Sequence, residues 1–212
     1  MTDGVGRRRG PQNVRLVERL RDLTPPWSIS QREARHIAER QTKLLLAAAG
    51  ITTPPVPTEI VSQLHGVHVY PLPEVPVKGL LGASKPTAQG GDILIDGSLP
   101  LAEQRVTLLH ELKHIIDGGH ATRLHQRSRG ASGEQLCTAF AISVLMPGAW
   151  LRADWQNGNR STARLAERYM VPVEAVEQRL QALGLVRRSP RPVPHLACQW
   201  HPNIDETTER NP

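Results

Sequence analysis

An α+β fold, mostly helical with a small three-stranded antiparallel sheet, is predicted by three features of the chain. Apolar residues recur at helical spacing over 31–49, 100–117 and 132–145, and again in a pair at 162–169 and 173–183. The period drops to two only between residues 67 and 95. Gly and Pro punctuate the joins, at Gly50, Gly66, Gly90-Gly91, Gly97 and Met146-Pro147-Gly148. A length of 212 residues suits one domain with tail to spare.

The elements follow in order. Residues 1–28 combine arginines with Gly4, Gly6, Gly10, Pro11, Pro25 and Pro26; only Val14 to Leu23 has the makings of a short helix, and the segment is expected to be a largely disordered basic arm. Ser28 or Ser30 caps a helix from about Gln31 to Ala49, with apolar positions at Ala34, Ile37, Ala38, Leu44, Leu45 and Ala48. Pro54, Pro55 and Pro57 stiffen the connector to a short helix capped by Thr58. Val67 to Leu72, Val77 to Ala83 and Asp92 to Ile95 read as the three strands. A helix from about Pro100 to Asp117 comes next, then a loop from Gly118 to Gly133, and a helix near Ser132 to Leu145. The domain is expected to span 29–186, with 162–186 as a C-terminal helical pair. Beyond it, 187–212 is Pro-rich and reads as a disordered tail.

Charge is unevenly spread. Residues 1–43 hold nine Arg and one Lys against five acidic residues, so +5 of the net +6 lies there. Such an arm can contact nucleic acid or an acidic protein, although no aromatic interleaves with Arg7, Arg8 and Arg9 to stack on bases. No apolar run approaches the ~18 residues of a membrane span, and no apolar stretch follows the N-terminal arginines as a secretory signal requires. Cys137 and Cys198 are far apart and read as reduced thiols, so a cytoplasmic location without membrane contact is expected.

The chemistry concentrates at Leu108-Leu109-His110-Glu111-Leu112-Lys113-His114-Ile115-Ile116. Histidines four apart share one helical face, so His110 and His114 can offer two imidazole nitrogens to a single zinc ion. Glu111 then lies beside the metal, where a carboxylate can take a proton from the attacking water. Apolar neighbours bury the helix, and buried imidazoles require partners.

A hydrolytic zinc site wants a third protein ligand. His120 nearly completes the pattern H-E-x-x-H-x-x-G-x-x-H, except that Asp117 stands where that pattern has Gly. Glu134, in the first turn of an otherwise apolar helix, is the second candidate; as a plain helix-terminal Glu it would contribute only ~0.5 kcal/mol. Asp117 is third, better suited to holding an imidazole N–H. For the oxyanion, His120, His125 and Tyr169 are candidates.

Together with Glu134-Gln135-Leu136-Cys137-Thr138-Ala139-Phe140-Ala141 and Leu145-Met146-Pro147, the histidine block resembles the ImmA/IrrE family of metallo-endopeptidases over roughly residues 31–186. The resemblance implies a zincin-like metallopeptidase domain holding Zn2+ through His110, His114 and Glu134, with Glu111 as general base. It also implies a protein substrate, often a helix-turn-helix repressor or antitoxin, and a regulatory role in mobile elements or stress responses. The Arg-rich arm, the Pro-rich tail and the His120/His125 pair depart from the family pattern.

Two signals compete. Leu165 to Tyr169 followed by Val173 to Val176 resembles a helix-turn-helix, but Glu174 and Glu177 on the presented face, beside Gln178, oppose phosphate contact, so the pair is expected to pack on the zinc domain. His195-x-x-Cys198-x-x-His201 has metal-ligand spacing in a segment with few core residues. A zinc-containing regulatory or DNA-associated protein without turnover is the rival to an endopeptidase.

Overall fold

The computed structural model describes residues 15–25, 27, 29–72, 81–118 and 131–187. In chain order these form α1 (Leu16–Arg21), α2 (Gln31–Ala48), α3 (Glu59–Ser62), β1 (Val67–Pro71), β2 (Gly82–Pro86), β3 (Gly91–Ile95), α4 (Leu101–Asp117), α5 (Ala131–Leu145), α6 (Gly148–Gln156), α7 (Thr162–Tyr169) and α8 (Val173–Ala182). The mostly helical α+β class holds.

Helix α4 is central. It packs on α5 along one side and on β2 and β3 along another, while α1 and α3 cover its remaining flanks. Its turns bury Val106, Leu109, Leu112, Ile115 and Ile116, all at most 2% exposed. On its far side α5 is covered by α2. Ser30 opens α2 through a capping box: its hydroxyl accepts from the Glu33 backbone N–H, and the Glu33 carboxylate accepts from the Ser30 N–H at 2.7 Å. Thr58 occupies the N-cap position of α3 without a side-chain cap bond.

Three expectations are corrected. First, the sheet is mixed. Its strand order is β1-β3-β2, with β1 parallel to β3 and β2 antiparallel to it. β2 and β3 form a hairpin whose turn is closed by Thr87 N–H donating to Gly90 O at 2.9 Å. Because β3 lies between the other two, the chain reverses twice before β3 meets β1, which leaves those two strands running the same way. Second, β2 begins at Gly82, beyond most of the expected 77–83 segment, of which 77–80 lie outside the described residues.

Third, the expected arm through residue 28 contains a core helix. Leu16, Val17 and Leu20 of α1 are at most 3% exposed. Arg21 then ties the helix down by donating to the carbonyls of Ala88 (2.6 Å), Thr87 (2.9 Å) and Ile115 (2.9 Å). One basic residue of the arm is thus consumed in satisfying carbonyls at the hairpin and at the end of α4. Arg7, Arg8, Arg9 and the tail lie outside the described residues. Helix α6, over a stretch for which no element was expected, follows Pro147 at its N-cap position.

The C-terminal pair α7–α8 packs on the rest of the protein, as expected. Leu165, Tyr169, Val176 and Leu180 join the common core, and Arg105 of α4 donates to the carbonyls of Met170 (2.9 Å) and Val56 (2.8 Å). Glu174 and Glu177 remain exposed. No single helix among the described residues is long and apolar enough to cross a membrane.

Candidate metal centre

His110 and His114 sit one turn apart on α4, and their Nε2 atoms stand 3.2 Å from each other. Glu134, on the first described turn of α5, brings its carboxylate to both: Oε2 is 3.0 Å from His110 Nε2 and Oε1 is 3.6 Å from His114 Nε2. A tetrahedral zinc with ligand bonds of ~2.1 Å holds its ligand atoms roughly 3.4 Å apart. The two imidazole nitrogens lie near that separation, and each has one of the two carboxylate oxygens of Glu134 at a similar distance, so these donors fit such an ion.

Position on α5 governs the rest. Residues three and four beyond Glu134 share its helical face, and they are Cys137 and Thr138. Thr138 Oγ1 is 3.1 Å from His110 Nδ1, and Cys137 Sγ is 3.7 Å from His114 Nδ1. Each imidazole is therefore gripped at its outer nitrogen while its inner nitrogen faces Glu134, an arrangement that fixes ring orientation at metal sites.

His110, His114 and Cys137 also form a cluster whose ligand atoms lie within 4.8 Å of one another. A second donor set is thereby available. Cys137, however, meets His114 at Nδ1, on the other side of the ring from the Nε2 atom that faces His110 and Glu134. A His114 ligating through Nε2 leaves Cys137 outside the donor triangle, so the Glu134 set is geometrically the tighter one.

The charges agree with that closeness. Burial raises the Glu134 carboxyl pKa, but the bonds to His110 and His114 outweigh it and hold it down at about 2. Burial opposes a charged His114, yet Cys137, Glu134 and Glu111 together push its pKa up to about 11. Burial also pushes the Cys137 thiol up, against the pull of His114.

Glu111 is 2% exposed and accepts a 2.7 Å hydrogen bond from the Ser84 hydroxyl. The sheet supplies that donor because β2 lies directly along α4. Gly82, Ser84 and Pro86 share one face of the strand. A Cβ on Gly82 would come within 2.6 Å of Thr107 Cγ2 and 3.3 Å of Glu111 Cγ, and one on Gly118 would collide with Pro86. Only glycine at 82 lets the strand come this near.

Sequence reasoning singled out His110, Glu111, His114 and Glu134, and the fold brings all four together. Asp117 does something else: it pairs with Lys113 at 2.6 Å rather than with His114. The Tyr169 hydroxyl donates to Asp154 at 2.8 Å and is committed there. His120, His125 and the His195/Cys198/His201 group lie outside the described residues. Ser84, Cys137 and Thr138 were missed. For the last two a signal exists, since they stand three and four residues after a suspected ligand; the sequence marks Cys137 otherwise only as a reduced thiol.

Among solved structures the chain resembles a Mycobacterium tuberculosis transcriptional regulator, with a TM-score of 0.52 and 17% identity. The match covers 83% of this chain and 53% of that one, so the chain spans about half the length of that structure. No curated protein sequence matches. The model of the IrrE N-terminal-like domain of the M78 peptidases matches residues 63–181, from the end of α3 to the last turn of α8. With more than half of its length so matched, and a cluster that could hold a metal ion inside the match, the chain belongs to the IrrE N-terminal-like family of metallopeptidase-type domains.

Proposed function

We propose that the protein is a zinc-dependent endopeptidase that hydrolyses a peptide bond in a protein partner, a helix-turn-helix repressor or antitoxin-like regulator. The observation that carries this reading is the convergence of His110 Nε2, His114 Nε2 and Glu134 at 3.0–3.6 Å, with the buried Glu111 one residue from the first. His110, His114 and Glu134 would hold the ion, and a donor set of two imidazoles and a carboxylate suits zinc. When bound, zinc supplies Lewis acidity toward the scissile carbonyl and the attacking water.

Glu111 is the general base. Ser84 fixes its Oε2, which leaves Oε1 to take the proton from water and pass it to the departing amine. Strand β2 is one of the two edge strands of the sheet, and an extended segment adding to it would run past Glu111 with its backbone held by strand pairing. The regulatory partner is supported by the fold shared with a transcriptional regulator and by family membership.

The test is Glu111→Gln, purified with its metal and presented with the product of the adjacent reading frame. Zinc content is expected to be unchanged while cleavage falls by about 10²–10⁴-fold. Undiminished cleavage would reject the mechanism, and full function of the variant in cells would assign the centre to binding without turnover.

A further inference from the structure

A second surface shares no residue with the metal centre. The connector between α1 and α2 and the outer face of α2 enclose an open groove. Its floor is apolar, with the buried Ile37 and the half-buried Leu23 and Ile29. Trp27 stands on its wall with 68% of its surface exposed, the most exposed large hydrophobic residue described.

The rim is cationic. Arg32, Arg35, His36 and Arg40 follow one another along the exposed face of α2, and Arg32 to Arg40 spans about 12 Å at 1.5 Å per residue. None of the three arginines has a hydrogen-bond or ion-pair partner among the described residues. The groove's carboxylates are engaged elsewhere. Glu39 Oε1 accepts from Arg179 Nη1 at 2.7 Å and from Ser143 at 3.1 Å. Glu33 is bound to Ser30 in the cap of α2. Glu39 is cancelled by Arg179, so Glu33 alone offsets three arginines and the rim keeps an excess of positive charge.

We infer that this groove docks an acidic segment of a partner protein, with a large apolar side chain seated against Trp27 and Ile37 and carboxylates on the α2 arginines. Tryptophan and arginine are the residue types that dominate binding energy at protein interfaces, and complementary charge supplies orientation and encounter rate. A single-stranded nucleic acid fits less well. It would find one aromatic where stacking platforms use several, and it would leave the apolar floor wet.

Fluorescence anisotropy on the full chain tests this, with a labelled dodecapeptide alternating glutamate and leucine as the probe. Saturable binding that weakens with added salt is expected. Trp27→Ala, and separately Arg32→Glu with Arg40→Glu, should each weaken it about tenfold or more, while the charge-matched pair Arg164→Glu and Arg187→Glu leaves it unchanged. All substituted positions are exposed, and circular dichroism verifies that each variant is folded. Absence of binding, equal binding by the groove variants, or tighter binding of an oligothymidine of the same length would overturn the inference.

Discussion

Removing Asp117 should damage the protein more than any surface change, because it strands a charge in the core. Lys113 lies between the two histidines of the motif but points away from them. Its side chain is 2% exposed and its partner's is 0%. Lys113 Nζ donates to Asp117 Oδ1 at 2.6 Å and to Gln41 Oε1 at 2.8 Å, and stands 5.7 Å from the centre of the Phe140 ring. Asp117→Ala leaves the ammonium with a neutral amide and a ring face. Breaking a buried pair this way costs about 3–5 kcal/mol, which in a domain of this size lowers Tm by about 6–20 °C.

The matched replacement Lys113→Met with Asp117→Leu removes both charges and also the Asp117 Oδ2 atom, which is buried without a partner. An orphaned buried acceptor costs about 1–3 kcal/mol. The same replacement takes the donor from the buried Gln41 Oε1, an offsetting loss of similar size, so the double variant should lie within about 1 kcal/mol of the parent. Thermal and denaturant melts of the parent, the single variant and the double variant form the assay. A loss below about 1 kcal/mol for Asp117→Ala, or a double variant as unstable as the single one, refutes the reasoning.

The other predictions concern the site and its supports. Thr138→Val keeps the shape but removes the oxygen beside His110 Nδ1, and zinc affinity measured by chelator competition should fall about 10–100-fold; an unchanged affinity would show that His110 needs no such grip. Ser84→Ala should lower kcat by about tenfold or more with zinc content and KM nearly constant, since a hydrogen bond to a carboxylate is worth about 1.5–3 kcal/mol, and Ser84→Thr should restore it. The Glu39 carboxyl is pushed up by burial but more strongly held down by Arg179 and Ser143, so its folded pKa lies below the ordinary 4.5. Its contribution to stability is present above pH 4.5 and is lost as pH falls through the folded value. The Tm difference between the parent and Glu39→Gln should accordingly shrink on acidification below that pH, and a difference that stays constant would contradict the pairing.

How much of this was legible in the sequence follows from the range over which each signal acts. His110, Glu111 and His114 are a local pattern on one helix, and Glu134 heads a second amphipathic run, so all four were readable. The mixed sheet was not. Strand order depends on which edge β3 enters, and no residue in Val67 to Ile95 encodes that locally. β2 was displaced because Gly82-Ala83-Ser84-Lys85-Pro86 carries no apolar alternation. Its inner face meets α4 through a missing side chain, a hydroxyl and a proline ring. α1 was read as part of an arm because of its basic, Gly- and Pro-rich surroundings, although Leu16, Val17 and Leu20 already formed an apolar stripe at helical spacing.

Five consecutive positions of α5, Glu134 to Thr138, carry the carboxylate that meets both imidazoles and the two groups that hold those rings from behind. The quality of the centre is thus governed by one angular variable, the phase of α5 about its own axis. Phe140, Ala141, Val144 and Leu145, all fully buried, act as the key that sets this phase against α2 and α4. A single residue inserted between Thr138 and Phe140 would turn the upstream segment by about 100° relative to that key. The core would keep its anchor, while one ligand and both ring supports would swing away from α4 together.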